Sequence, residues 1–349
     1  MEFNEGLEEG VFESILKSAT GELAQVSRKA KPEIAPWWRA LGLERNLIHA
    51  RFVKFTRRLP PPLREDALNM RTYLGRSAQP HRARRITDCI PVVAVLPYVL
   101  RCCFPVEPER LRTLAYALTL LGLYSMAEDK SIDSQIDPTL TQNLLATTLY
   151  VEFLTTLHEL FPTGSDFWPY HDKFFREHLM AEIEDQKQTG ITGRMRERKY
   201  CSIVKAKAAP LKLAVCGMGI LSGRREHVTQ LLRSFDNWII GYQLHDDVVD
   251  WREDYLAGRE SLIVGKIGRL VRPERNRYRS RDLAKTVYSS DVIESTLEES
   301  GRWFARAEKS AQGIGCDDWI HFVRDFAGIT NTAIRDLVTL KVRILFGTE

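Results

Sequence analysis

The sequence predicts an all-α protein, and three observations carry that expectation. Helical periodicity runs through nearly the whole chain, while alternating apolar–polar runs with hairpin dipeptides are hard to find. Several helical stretches are apolar almost all round, as buried helices are. Aspartates recur four apart at the ends of two of these stretches, which puts them on one helix face. With 349 residues, 44% hydrophobic and 28% charged, the chain has the make-up of an ordinary globular protein with one large domain or two average ones.

Residues 1–30 carry helical periodicity around Phe12, Ile15 and Leu16, and Pro32, Pro36 and Trp37–Trp38 break it. Arg57 to Pro62 is the clearest interruption,. Residues 1–60 hold too little apolar material for a core of their own, so they are expected as a helical extension packed on one bundle of residues 61–349. The basic run from Gln79 to Arg85 leads into an apolar helix, Ile90–Leu100, although cations at a helix N-terminus oppose its dipole. After Pro105 and Pro108 comes a helix from Arg110 to Met126, apolar beyond Leu114 and therefore buried,. It runs out in Ala127-Glu128-Asp129-Lys130-Ser131-Ile132-Asp133, where Asp129 and Asp133 stand at i and i+4.

Leu144–Phe161 is the next helix, followed by a turn marked by Gly164 and Pro169. A helix from His171 to Gln188 carries Glu177, Glu182, Glu184 and Asp185. Its two histidines, His171 and His178, stand seven apart with no Glu-x-x-His pattern, so this side reads as a solvated face. Arg194, Arg196, Arg198 and Lys199 form a basic segment. Tyr200–Leu221 reads as a core helix opened at Pro210, because proline lacks the N–H and crowds the preceding turn. It bears Lys205 and Lys207. A lysine in so apolar a helix either snorkels to water or needs an anionic partner, and a bound anion would serve.

The most informative stretch is Gly241 to Gly258, which contains Asp246, Asp250 and Asp254 at i, i+4 and i+8. Each four-residue step turns a helix by about 40° and climbs about 6 Å, so the three carboxylates form a ladder about 12 Å tall. Asp247 stands about 100° off it. Three like charges next to an apolar run are strongly unfavourable without a counter-ion, and oxygen-only donors suit Mg²⁺. With the Asp129–Asp133 pair on a separate helix, two carboxylate walls face one metal site of the kind helical bundles build. Beyond it, Val271–Arg281 reads as a basic surface loop, and two helices, about Asp291–Gly313 and Asp317–Leu345, close the bundle.

Other function classes fit less well. A net charge of +4 is too small and too evenly spread for nucleic-acid binding. No stretch approaches the ~20 apolar residues of a membrane span, and the acidic N-terminus lacks a signal-peptide pattern. The six cysteines lack zinc spacing and are expected as buried free thiols, which points to the cytoplasm. The adjacent His245–Asp246 pair admits an HD-type phosphohydrolase, but the further histidines such a site needs do not stand out. A silent helical partner subunit is the remaining alternative.

These features resemble the class I isoprenoid synthase superfamily of trans-isoprenyl diphosphate synthases and class I terpene synthases, over about residues 70–345. Tyr242-Gln243-Leu244-His245-Asp246-Asp247-Val248-Val249-Asp250 is similar to the second aspartate-rich motif of prenyl diphosphate synthases, Gln-x-x-Asp-Asp-x-x-Asp. Asp129 and Asp133 match the outer positions of the first motif, with Lys130 where a second Asp is usual. Lys207 stands where the family carries a Lys-Thr pair, with Ala208 for Thr.

The resemblance implies a single large helical bundle with a central active-site cavity and Mg²⁺, three ions, held by Asp129, Asp133, Asp246, Asp250 and Asp254. It implies that Lys207, Lys205, Arg194 and Arg198 hold the diphosphate. Tyr124, Ser125, Trp238, Tyr242 and Gln243 then line the substrate pocket, with Asp129, Asp246 and Lys207 central to catalysis. A homodimer is a further expectation of the resemblance. Chain-elongating members carry Gly-Gly-Lys-Arg-x-Arg-Pro, whereas this chain has the out-of-pattern run Gly75 to Arg85. The reading that follows is a terpene synthase ionising one C15 or C20 allylic diphosphate, with a chain-elongating or coupling prenyltransferase as the alternative.

Overall fold

The computed structural model describes residues 41–74, 86, 91–132, 140–187, 190–193, 195–271 and 280–346. These residues form thirteen α-helices, with no strand among them, as the periodicity predicts. The first two are α1 (Gly42–Thr56) and α2 (Pro61–Leu74). Pro61 opens α2 at the position where a missing N–H costs nothing,. Then come α3 (Pro91–Val99), α4 (Pro108–Ile132), α5 (Leu140–Leu160) and α6 (Phe167–Gln186). The next stretch departs from the expected single helix. α7 (Glu197–Lys207) ends before a 3₁₀ turn, Ala209–Lys212, and α8 (Leu213–Ser222) starts anew. Pro210 enforces the break, since it cannot donate to Ala206 and its ring crowds that carbonyl.

α9 (Val228–Ala257) is the ladder helix, 30 residues and so about 45 Å long,. It is followed by α10 (Leu262–Leu270), α11 (Ser280–Ser289), α12 (Val292–Ala311) and α13 (Asp317–Phe346). α10 lies where no helix was expected. Its start is written in the sequence, for the Ser261 hydroxyl accepts from the Val264 N–H at 3.4 Å as an N-cap,. Most of the basic 271–281 segment lies outside the described residues, as do residues 1–40 and Gly75–Arg85.

α4 sits in the middle of the main core, with Leu114, Tyr116, Leu118 and Leu121 fully buried. α1 joins the same core through Ile48, Phe52 and Phe55. It is further tied to α4 by Arg112, whose Nε and Nη2 donate to the two Glu44 oxygens at 2.8 and 3.1 Å, while the Tyr98 hydroxyl donates to Oε2 at 3.0 Å. A second cluster joins Val248 and Trp251 of α9 to α10, α11, α12 and α13.

α9 and α12 approach each other closely at Gly241. A Cβ on Gly241 would stand 3.0 Å from two Phe304 ring carbons and 3.1 Å from the Ser300 carbonyl oxygen. The Ser300 hydroxyl donates to the Gly241 carbonyl at 2.6 Å. Two turns earlier, Ser234 donates to the Ala307 carbonyl at 2.6 Å and accepts from the Trp319 indole at 2.8 Å. Three helices are thus fixed at one buried hydroxyl.

Gly241→Ala is expected to destabilise the fold by about 1–3 kcal/mol through overpacking against Phe304 and the Ser300 carbonyl. Denaturant unfolding measures it, and an unchanged midpoint would show that the helices separate freely. The Glu44 carboxyl is held below its usual range, foremost by Arg112. A depressed carboxyl contributes stability above its unfolded value of about 4.3, and that contribution is lost as pH falls through the folded value. Glu44→Gln should therefore lower Tm at neutral pH, by an amount that shrinks as pH falls below about 4. A Tm difference constant across that range would contradict the assignment.

Candidate active site

The packing of α9 decides which way its carboxylates face. Counting 100° per residue from Gly241, the buried positions Leu244, Val248 and Trp251 stay within about 80° of the α12 side,. Asp246, Asp250 and Asp254 fall at about 140°, 180° and 220°, on the opposite face. Asp246 and Asp250 are half-buried.

Asp254, the third rung of the ladder, is engaged by the turn that ends α9. Gly258 ends α9 in the left-handed region (φ 70°), and the chain folds back so that the Arg259 N–H reaches the Asp254 carbonyl at 2.9 Å,. The same turn brings the Arg259 guanidinium onto Asp254 Oδ1, at 3.0 Å from Nε and 2.8 Å from Nη2. The local sequence Asp-Tyr-Leu-Ala-Gly-Arg encodes this ion pair.

Asp247, off the ladder, is buried and turned toward α7. Its Oδ2 accepts from the Tyr200 hydroxyl and its Oδ1 from the Gln243 side-chain amide, both at 2.8 Å. Burial pushes its carboxyl up to about 7 against the effect of those two donors, with the Asp254 and Asp246 charges adding to the rise. Gln243, expected to touch substrate, instead holds this carboxylate. Tyr200 joins α7 to α9, and the sequence reading gave it no role.

A second group of polar residues gathers α4, α6 and α7. The Tyr124 hydroxyl donates to Glu128 at 2.8 Å, and Glu128 meets His178 Nε2 at 3.5 Å. His178 Nδ1 donates to the Lys207 carbonyl at 2.8 Å, at the C-terminal end of α7 where a cation is favoured,. The Lys207 ammonium lies 3.2 Å from Glu182 and 3.0 Å from Asp185. Burial by itself would lower His178, but Glu128, Glu182 and the Lys207 carbonyl together raise it. Burial likewise would raise Glu128, and the bonds from His178 and Tyr124 outweigh it.

This group corrects two expectations. The α6 face is not solvated, since His171 and His178 are both buried. Lys207 does not wait for an external anion, because two carboxylates of the chain already neutralise it. His171 and His178 are seven apart, hence on one face, and Glu182 follows one turn later, but the spacing alone does not name their partners on α4 and α7.

The remaining expected residues divide. Trp238 is core, 1% exposed and packed against Trp319, Phe322 and Phe326 at 5.5–5.8 Å between ring centroids, so it cannot offer a free face to a substrate. Tyr242 is half-buried at the edge of this cluster. Ser125 is half-buried on α4, and Tyr124 packs on Tyr150 at 5.1 Å. Lys205 is half-buried on α7. Arg198 is exposed, in a groove with Arg196, Lys199 and Glu184. Two residues from Tyr200, it points about 200° away from the α9 side and is misplaced for the ladder. Arg194, Asp133 and the side chain of Asp129 lie outside the described residues. The flanking Thr192 and Met195 are tied to Glu260, just past the foot of α9. His245 shares a hydrogen bond with Thr330 of α13 at 3.0 Å.

For Mg²⁺ the donor chemistry fits. Asp246 and Asp250 are oxygen donors one turn apart on a half-buried face, as a hard cation requires. Among the described residues no three His, Cys, Asp or Glu side chains form a closed metal cage.

No family model and no curated protein matches this chain. Solved structures do. A polyprenyl synthase from Caulobacter crescentus, crystallised with calcium and isoprenyl diphosphate, aligns over 83% of this chain and 96% of its own, with a TM-score of 0.67 and 12% identity. Geranylgeranyl pyrophosphate synthase from Lactobacillus brevis, complexed with citrate, aligns over 85% and 99%, at 0.65 and 14%. The enzyme of that kind from the archaeon Geoglobus acetivorans aligns over 85% and 99%, at 0.61 and 16%. The fold is that of the class I isoprenoid synthases, represented by these trans-isoprenyl diphosphate synthases.

Tyr200→Phe should strand the buried Asp247 Oδ2 and destabilise the fold by about 1–3 kcal/mol. Asp246→Asn, on the half-buried ladder face, should change stability far less. Urea unfolding of both variants checks this, and equal losses would mean that Asp246 is as deeply committed to packing as Asp247.

Proposed function

We propose that this chain is a Mg²⁺-dependent trans-prenyltransferase, which ionises an allylic prenyl diphosphate and joins its allylic carbon to a second prenyl acceptor. One observation carries the reading: Asp246 and Asp250 stand one turn apart on the half-buried face of α9 turned away from α12, in a fold whose solved examples include prenyl synthases, one of them complexed with calcium and isoprenyl diphosphate. The chemistry asks for such a surface. Heterolysis of the allylic C–O bond leaves diphosphate with the electron pair and a carbocation on carbon. Bound Mg²⁺ would supply Lewis-acid neutralisation of the leaving oxygens.

The chain's own residues do the rest. Asp246 and Asp250 from α9, with Asp129 and Asp133 from α4, would hold the metal. Lys207, Lys205 and Arg194 would face the diphosphate. Lys207 meets it by exchanging Glu182 and Asp185 for phosphate oxygens, a charge-assisted swap. In coupling, the acceptor's double bond attacks the allylic carbon and a proton is lost from the adduct. Ser125 and Tyr124, four and five residues before Asp129, would set a C15 or C20 chain length.

A second reading, ionisation of a lone allylic diphosphate by a terpene synthase, is favoured by the out-of-pattern run Gly75 to Arg85. Incubating the chain with Mg²⁺ and C10, C15 or C20 allylic diphosphates, with and without isopentenyl diphosphate, separates the two. Mass spectrometry should find an elongated diphosphate only when isopentenyl diphosphate is present, and Asp246→Asn should reduce it by ~10²-fold or more. Hydrocarbon or alcohol from the lone allylic diphosphate would favour the second reading. Absence of turnover under every condition would sink both.

A further inference from the structure

Three of the six cysteines meet at a place the proposed chemistry does not use. Cys102 and Cys103 lie in the turn that follows α3, and Cys316 immediately precedes α13. The Cys102 and Cys316 sulfurs are 3.6 Å apart and share a thiol hydrogen bond, across 214 positions of sequence. Cys102 is exposed, which corrects the expectation of buried thiols throughout, while Cys316 is fully buried. Cys103 is buried with its thiol donating to the Ile314 carbonyl at 3.7 Å.

We propose that Cys102 and Cys316 are a redox-sensitive pair that closes to an intramolecular disulfide on meeting a low-molecular-weight disulfide such as oxidised glutathione.

The two sulfurs are chemically unequal. Cys102 is brought down to about 7, first by the Cys316 thiol and then, against burial, by the Asp318 and Trp319 backbone amides that open α13. A thiol near ambient pH at a helix N-terminus is well suited to exchange. Cys316 is pushed up by its two cysteine neighbours and by burial, so it keeps its proton. By contrast, burial raises Cys201 to about 11 and Cys216 to about 12, which leaves them inert. Exposure and ionisation thus select Cys102 as the attacking sulfur, and proximity selects Cys316 as the one that resolves.

The chemistry balances in two displacements. The Cys102 thiolate attacks one sulfur of oxidised glutathione, forming the mixed disulfide and releasing glutathione thiolate. Cys316 then attacks the Cys102 sulfur, a second glutathione leaves, and the Cys316 proton goes with it. Two protein thiols are oxidised and one glutathione disulfide is reduced. The sulfurs must close from 3.6 Å to the ~2.05 Å of a disulfide,. Neither residue is inside a helix. Cys316 also follows Gly313 and Gly315, which hold left-handed φ of 81° and 67° in a turn that has no side chains to move at those points. The bond would fasten the α3–α4 turn to the start of α13, closing a very long loop, the case in which cross-linking most restricts the unfolded chain.

The full-length chain, incubated with oxidised glutathione, acid-quenched, alkylated and mapped by peptide mass spectrometry, tests this. The expected result is a Cys102–Cys316 cross-linked peptide, loss of two alkylatable thiols, reversal by dithiothreitol and a Tm raised by several degrees. Cys316→Ser should trap glutathione on Cys102, Cys102→Ser should leave every thiol alkylatable, and Cys103→Ser should close as the wild type does. The wild-type map decides even if the buried Cys316→Ser variant does not fold. Glutathione retained on wild-type Cys102, a cross-link through Cys103, or no thiol consumed would each overturn the proposal.

Discussion

The structure depends on the close approach of α9 and α12 at Gly241. A 30-residue helix has no fixed rotation of its own, and its hydrophobic stripe alone leaves tens of degrees of play. Contact without a Cβ, with Ser300 bonded to the Gly241 carbonyl and Ser234 bonded to Ala307, removes that play. Once Gly241 faces α12, the ladder must face the other way, because 3.6 residues per turn puts positions 246, 250 and 254 near the antipode. The carboxylates reach their face through a glycine and two serines on the far side of the helix.

A second constraint acts on the neighbouring helices. Taking charges from water is costly unless each finds a partner. The chain meets this by sharing charges in series, from Tyr124 and Glu128 on α4, through His178, Glu182 and Asp185 on α6, to Lys207 on α7. The cluster joins three helices at the end of α7 and keeps Lys207 compensated without ligand. On the proposed function, diphosphate binding then becomes an exchange of partners instead of a first neutralisation. The gain per contact is smaller, and the unliganded state avoids an uncompensated buried cation.

Much of this was legible in the sequence because it is periodic. Long apolar runs such as Leu114–Met126 could only be buried helices, and the i, i+4 aspartates could only share a face. What was not legible depends on partners distant in sequence. The α6 histidines read as solvent-facing because nothing in residues 171–188 announces Glu128 or the Lys207 carbonyl. Lys207 read as an anion site because Glu182 and Asp185, more than twenty residues earlier, carry its compensation. Arg198 was assigned through the resemblance, whereas its angle from Tyr200 shows which side of α7 it occupies, and that angle became meaningful only when Tyr200 was seen to hold Asp247. Missing α10 was a different failure, since its cap at Ser261 was local and overlooked.

The pairing of Asp254 with Arg259 bears on how any metal site here works. Three rungs of one ladder, all anionic, would repel one another strongly and bind a cation even without substrate. Arg259 neutralises the lowest rung through a turn the chain encodes itself, and Asp246 and Asp250 are the half-buried rungs above it. Magnesium demands near-octahedral oxygen coordination and holds its waters tightly. If the chain works as proposed, Asp246 and Asp250, with Asp129 and Asp133 of α4, would hold the ion more firmly once diphosphate oxygens complete its shell. On the proposed function, metal and substrate then bind as mutually dependent ligands. The turn at the end of α9, with Gly258 holding φ 70°, would then contribute by pairing Asp254 with Arg259 before any metal arrives.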